Sequence, residues 1–221
     1  MPRDSAAQAT AFTMLGRAAK RLSDASPAVL DYGCGVGGSV DALRKELPTM
    51  SYTGIDLRIP PGAGEDRSLE FVAYDGVDLP FGDDSFDLCF TKQVLEHVLD
   101  PQAAAREIAR VLRPGGMLVG SVSFLEPYHA FSTFNWTPYG LVTVLEQHGL
   151  RVDEVRPGID GGTMFFRALL GRERFRQFFS RTSEYNHQLE TKYASDPVAL
   201  RNARKLSVSG HICFLATKAV E

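Results

Sequence analysis

The residues of this chain with the most evident chemical potential begin at Asp31-Tyr32-Gly33-Cys34-Gly35-Val36-Gly37-Gly38, where four of eight positions are glycine. Without side chains in the way, backbone amides and the start of a following helix can approach an anionic group closely. Gly33, Gly35 and Gly38 satisfy a GxGxxG pattern. Asp56 follows about 20 residues on, where a carboxylate accepts hydrogen bonds from ribose hydroxyls. The pattern implies a nucleotide-like cofactor, and on this turn alone NAD stays open. A second group lies at Glu126-Pro127-Tyr128-His129-Ala130-Phe131, continuing to Trp136-Thr137-Pro138-Tyr139. An imidazole takes a hydroxyl proton near neutrality, which makes His129 the candidate general base, and Tyr128, Phe131, Trp136 and Tyr139 can stack on an acceptor ring.

The elements that must position these groups alternate. Apolar positions at helical spacing predict a leading helix over 5–22, with Phe12, Leu15, Ala19 and Leu22 on one side. A strand over 28–30, the glycine turn and a helix over 39–47 ending at Pro48 follow. Short strands are expected over 51–55 and 69–74, joined by an irregular, Pro- and Gly-rich crossover over 58–67. A strand over 86–91, a helix over 101–112, a turn at Arg113-Pro114-Gly115-Gly116 and a strand over 117–124 continue the alternation. Thr137 caps a helix with Pro138 at its first position and Gly149 past its end, and a strand over 150–155 follows. Residues 161–206, rich in charge and aromatics, read as a helical cap inserted before a last strand over 211–217. The expected architecture is therefore α/β: a Rossmann-like, doubly wound, mainly parallel sheet in one domain over 1–221, with the 161–206 cap within it. In such sheets ligands bind beyond the carboxyl ends of the strands.

Four further features accompany the glycine turn: Asp31 leading into it, Asp75 after the third strand, the stretch LPFGDDSFDLCFTKQVLEHVLDP, and LRPGGMLVGSVSF leading into the fifth strand. In these the chain resembles the class I S-adenosylmethionine-dependent methyltransferases, of the kind that act on small molecules and glycans. The resemblance implies a reversed last strand and a cofactor, S-adenosylmethionine with S-adenosylhomocysteine as product, over the first half of the sheet. By position, Gly33, Gly35 and Gly37 line its methionine part and Asp31 faces its ammonium group. Asp56 binds the ribose, Leu57 packs on adenine, Asp75 with the Gly76 backbone reads the adenine edge, and Lys92 or Gln93 closes the pocket. Glu96 and His97 resemble the carboxylate–histidine pair that holds a divalent metal in ubiquinone-pathway O-methyltransferases, but Gln93 stands where those enzymes carry a further Glu. No metal is expected. The segment 126–139 falls where this fold builds its acceptor pocket, and its EPYH…TPYGL pattern followed by a helical insertion is similar to methyltransferases of bacterial glycan and secondary-metabolite pathways, so O-methylation of a small-molecule or sugar hydroxyl is the expected activity.

Composition bounds the alternatives. A formal net charge of -3 gives no basic footprint for a nucleic-acid backbone. The apolar runs are strand-sized and the start, MPRDSAAQAT, lacks a secretory pattern, so a cytoplasmic protein without a membrane span is expected. Cys34, Cys89 and Cys213 lie far apart in strand-like surroundings and read as reduced, packed thiols. The Phe- and Arg-rich cap (Phe165, Phe166, Phe178 and Phe179 with Arg167, Arg172, Arg174 and Arg176) suits an acceptor lid or a homodimer interface. Two other classes compete with a methyltransferase. An NAD(P)-dependent oxidoreductase calls for a proton donor such as a Tyr-x-x-x-Lys pair, which no suitable segment carries. A catalytically silent module would bind cofactor or partner without turnover.

Overall fold

The computed structural model describes residues 1–22, 26–59, 61, 66 and 68–220. Seven strands form one sheet in the order β3-β2-β1-β4-β5-β7-β6. They are β1 (Ala28–Tyr32), β2 (Ser51–Asp56), β3 (Leu69–Ala73), β4 (Phe86–Lys92), β5 (Leu112–Ser123), β6 (Leu150–Pro157) and β7 (His211–Lys218). All pairings are parallel except those of β7, which runs antiparallel to both β5 and β6. The last strand is thus the reversed one. Chain order turns back between β1 and β4, which is where doubly wound sheets open a crevice for ligands.

Both faces of the sheet are covered because its strands carry apolar residues at successive positions. Val29, Leu88, Phe90, Val119 and Leu215 pack with Met14, Leu15 and Ala18 of α1 (Ala11–Ala19) and Leu43 of α2 (Val40–Glu46). Their neighbours Leu30, Cys89, Leu118 and Phe214 point the other way, onto Ile108 of α3 (Pro101–Val111) and Leu141 and Leu145 of α4 (Pro138–Gln147). Helix α3 starts where Asp100 accepts from the amides of Gln102 and Ala103 with Pro101 at the first position, and Thr137 caps α4 in the same way. Residues 161–206 hold α5 (Gly161–Leu170), α6 (Arg172–Phe175), a 3-10 turn (Arg176–Phe179), α7 (Glu184–Lys192) and α8 (Val198–Leu206). Cys34, Cys89 and Cys213 are buried free thiols, and burial pushes all three above the usual thiol range.

Two local expectations are corrected. The leading helix starts at Ala11 rather than Ser5, because Thr10 and Thr13 close a reciprocal capping box. The residues before it instead form an extended strap: Gln8 bonds to the Phe178 and Arg181 carbonyls, Lys205 to the Ala6 carbonyl, and Asn202 to the Pro2 and Ser5 carbonyls. The Arg113–Gly116 turn is absorbed into β5, with Gly115 at φ 78° and a register shift between Phe86 and Leu88 on the partner strand. A glycine in the left-handed region lets a bulge form without ending the ladder. The irregular crossover expected over 58–67 lies mostly outside the described residues. Among the described residues no helix is long and apolar enough to cross a membrane.

Candidate functional site

The carboxyl ends of β1, β2 and β4 bring the glycine turn, Asp56 and Gln93 to one edge of the sheet. Gly33, Gly35 and Gly37 all have positive φ, and a Cβ on Gly33 would come within 2.4 Å of a Val94 methyl, so that position admits no side chain. A Cβ on Gly35 would meet open space, so its glycine answers to backbone conformation alone. Asp56 Oδ2 accepts from the Gly35 amide at 2.8 Å and Oδ1 from the Leu57 amide at 2.7 Å. The carboxylate that is expected to meet a ribose therefore also latches the glycine turn.

From Gly33 and Asp56 a cavity of about 620 Å³ runs along Leu57, Gly76, Val98 and Leu99. Its far wall includes Asp75, whose Oδ1 is engaged by the amides of Val77 and Asp78 in a local turn. Leu57, Val77 and Leu99 are exposed apolar side chains on its rim. A polar end at Asp56 and an apolar slot beyond it suit a ribose and a flat base. Asp31 sits behind the turn, only 2 % exposed, and accepts from the Tyr52 hydroxyl at 3.0 Å. Burial pushes its carboxyl up to about 6, partly opposed by the Tyr52 hydrogen bond and by the charge of Lys92. Asp31, Gly33, Gly35, Gly38 and Lys92 line a second hollow beside the turn. Gly37 is not among its lining residues and shapes the turn instead.

Gln93 is the hinge of this edge. It is a non-glycine residue at φ 57°, a conformation that costs about 1–2 kcal/mol and persists where the surroundings impose it. Its amide donates to the Ser121 carbonyl at 2.9 Å. Its side chain lines both the 620 Å³ slot and a smaller cavity of about 220 Å³ on the other side. That smaller cavity is walled by Phe12 of α1, Lys92, Ser121, Phe179 of the cap, His211 and Cys213.

Beside it lies a buried polar cluster. The Ser123 hydroxyl is 2.9 Å from Gln93 Oε1, 2.8 Å from Glu96 Oε1 and 2.6 Å from Glu126 Oε2. Glu126 Oε2 also meets His211 Nε2 at 2.8 Å, while Glu126 Oε1 stands 3.7 Å from His129 Nδ1. Desolvation raises the Glu126 carboxyl, but the His211 hydrogen bond and charge outweigh it and leave it lowered. The His129 ring packs edge-on against His97, which lines the larger slot. Glu96, His97 and His129 each present a donor atom within 4.8 Å of the others, and Glu96 Oε2 and His129 Nδ1 are buried without a hydrogen-bond partner among the described residues.

Comparison with known proteins finds methyltransferases over the same stretch of chain. Residues 30–120 match the family model described as a methyltransferase domain. An uncharacterized methyltransferase of Mycobacterium sp. (strain JLS) is 34 % identical over 118 residues, 52 % of this chain and 46 % of the relative. The O-methyltransferase cnsE of Penicillium expansum is 36 % identical over 104 residues, 41 % of this chain and 36 % of the relative. The solved structure of an S-adenosylmethionine-dependent methyltransferase from Mesorhizobium loti superposes with a TM-score of 0.61 at 18 % identity, covering 94 % of this chain and 97 % of that one. Over residues 30–120 the chain is similar to the methyltransferase domain family, and its fold is that of the solved S-adenosylmethionine-dependent methyltransferase. The chain spans less than half the length of the curated relatives it matches.

In this methyltransferase domain the residues fit the family's cofactor. The glycine cradle refuses a Cβ at Gly33, the carboxylate of Asp56 stands at the slot's polar end, and the buried carboxyl of Asp31 lies by Lys92 behind the turn. Leu57, Asp75, Gly76 and Gln93 gather along the same slot, and Lys92 lies over the Phe12 ring, 5.5 Å from its centroid.

The aromatic segment expected at the acceptor divides. Tyr128, Phe131 and Tyr139 are 77, 87 and 82 % exposed, whereas Trp136 is buried in the core under α4. Its amide bonds to the Ser123 carbonyl at 2.7 Å, and Thr137 next to it caps the helix, which draws the indole inward. None of the four is among the residues lining the 220 Å³ cavity. Neither Ser121 nor His211 stands out in the sequence as a site residue, whereas Phe179 belongs to the aromatic set expected as an acceptor lid. Ser121 and His211 are strand positions by their sequence, and nothing local marks them.

Proposed function

We propose that this protein transfers a methyl group from S-adenosylmethionine to a hydroxyl of a small molecule, a secondary metabolite or a sugar. The observation that carries this reading is the strained Gln93, set between an adenosine-sized slot and a smaller cavity flanked by a histidine–carboxylate cluster. When bound, S-adenosylmethionine supplies a methyl group already activated by the sulfonium. The protein's work is then to align a nucleophile, exclude water and, for a hydroxyl, accept a proton. Asp56 holds the ribose, Leu57 and Val98 flank the base, and Asp31 faces the ammonium group across the glycine turn. The acceptor enters from the side of α1 and the cap, where Phe12 and Phe179 shield the reacting atoms. An imidazole beside Glu126 takes the proton, and His129 is the one that sequence singles out. The relatives include both a named O-methyltransferase and a named C-methyltransferase, so the choice of oxygen rests on the histidine–carboxylate cluster rather than on them.

Calorimetry with S-adenosylmethionine, S-adenosylhomocysteine and NAD tests the cofactor. Binding of both sulfur compounds and not of NAD is expected. Binding of NAD alone overturns the reading. A screen of hydroxyl-bearing compounds with isotopically labelled methyl donor then tests the acceptor class, and label found on nitrogen or carbon sinks the assignment to oxygen.

A further inference from the structure

Of the two histidines beside Glu126, one is the better placed to act on a substrate. His211 opens β7, where its residue pairs with Ser123 of β5 and its backbone is tied to Ile159 and Gly158. Its imidazole is therefore carried on a rigid strand end rather than on a loop. Nε2 lies 2.8 Å from a carboxylate oxygen of Glu126, whose side chain is 7 % exposed. A carboxylate accepts, so Nε2 carries the proton and Nδ1 keeps its lone pair. The ring stacks at a tilt on Phe179 and lines the 220 Å³ cavity together with Gln93 and Ser121. His129 stands 3.7 Å from the same carboxylate, beyond hydrogen-bond reach, on a loop whose next two residues, Ala130 and Phe131, have positive φ. It is not among the residues lining that cavity.

The cavity also states what it can hold. Apolar cavities of about 150 Å³ bind benzene, so 220 Å³ is room enough for one substituted ring. Its walls pair aromatic faces, Phe12 and Phe179, with polar groups at one end, Gln93, Ser121 and His211. We propose that His211, oriented by Glu126, is the catalytic base, and that the acceptor presents a hydroxyl on a single ring lying between Phe12 and Phe179. This deepens the methyltransferase reading and rests on it. In the step, the hydroxyl oxygen forms its bond to the methyl carbon as the carbon–sulfur bond breaks with its electrons left on sulfur. The hydroxyl proton passes to His211 Nδ1 and from there to solvent.

The test measures methyl transfer from labelled S-adenosylmethionine to a panel of monocyclic phenols of graded acidity, including 4-nitrophenol, which is largely ionised in mildly alkaline buffer. General-base catalysis contributes about 10²- to 10⁴-fold. His211→Asn should therefore lower kcat by about 100-fold or more on the weakly acidic phenols, while costing far less on 4-nitrophenol, which needs no base. Glu126→Gln keeps an oxygen for the imidazole but removes the charge, and should give a smaller loss with the same dependence on acidity. Affinity for S-adenosylhomocysteine, read by calorimetry, should be unchanged in both variants, which also reports that they fold. A loss equal across the panel makes His211 a positioning group and overturns the assignment. The acidity-dependent loss appearing in His129→Asn and not in His211→Asn overturns it in favour of His129. A parent enzyme that binds S-adenosylmethionine but methylates no phenol overturns the ring-hydroxyl class, whereas a parent that binds neither sulfur compound fails the underlying methyltransferase reading instead.

Discussion

Replacing Asp31 by asparagine separates folding from cofactor recognition, because the two pull on this carboxyl in opposite directions. Asp31 is 2 % exposed, and burial raises its carboxyl from 3.8 to about 6. A carboxyl raised on folding favours the protonated native state. Its contribution to stability is complete below 3.8 and is lost as pH rises through about 6. The interval corresponds to about 3 kcal/mol at most. Asp31→Asn is neutral throughout and can still accept from the Tyr52 hydroxyl. The cofactor-free variant should therefore be more stable than the parent in mildly alkaline buffer, by up to about 3 kcal/mol, with the difference closing as the pH approaches 4.

Recognition of an ammonium group needs the ionised form. Affinity of the parent for S-adenosylhomocysteine should fall by about tenfold for each pH unit below about 6, and the variant should show no such fall. Above that range the variant lacks a charge-assisted hydrogen bond of about 1.5–3 kcal/mol, or about 10- to 150-fold in Kd. Calorimetry across the acid range, paired with thermal melts of the cofactor-free proteins, reads both effects. A parent affinity independent of pH refutes the role given to Asp31. So does a variant that binds as tightly as the parent.

Other positions give sharper or simpler outcomes. Gly33→Ala adds a methyl 2.4 Å from Val94 at a φ of +75°, so overpacking and left-handed strain together should cost about 2–5 kcal/mol and weaken cofactor binding, read by melting and calorimetry. Gly120→Ala puts its methyl 1.8 Å from the Thr91 carbonyl oxygen on the paired strand, and backbone cannot yield there without parting β4 from β5. A loss of about 3 kcal/mol or more is expected, and a normal melting curve contradicts that packing. Methyl transfer should survive dialysis against EDTA, since Gln93 takes the place of a carboxylate. A loss restored by magnesium or zinc instead recruits Glu96, His97 and His129 as ligands.

Legibility in the sequence followed the range of the interactions. Helices α3 and α4 announce themselves because their caps and first-turn prolines are neighbours of the residues they start, at Asp100-Pro101 and Thr137-Pro138. The cofactor slot is nearly as local: Gly33, Asp56, Asp75 and Gln93 each follow a strand, and a parallel sheet gathers such ends at one edge. The start of α1 was misplaced because the spacing of Phe12, Leu15 and Ala19 marks a helical face but not where it begins, while the strap's hydrogen bonds go to residues near 180 and 200. Aromatic content at 128–139 showed in the sequence, but not that Trp136 turns inward while Tyr128, Phe131 and Tyr139 face solvent. His211 carried no signal at all, because its role depends on an antiparallel pairing that places it opposite Ser123.

The same contrast explains where the likeness to other proteins stops. Every residue lining the larger slot lies between Gly33 and Ala103, inside the stretch that matches the methyltransferase family model. The smaller cavity is assembled from α1, the ends of β4 and β5, the cap and β7, so Phe12, Ile159, Phe179, His211 and Cys213 all fall outside that stretch. A shared cofactor constrains the first set, since the ribose, base and ammonium group must each meet a partner at a fixed place. The cavity proposed for the acceptor is built from the second set, mostly on elements that the matched segment does not contain. The chemistry of the methyl donor can therefore be carried from relatives to this chain, whereas the acceptor has to be argued from its own Phe12, Phe179 and His211.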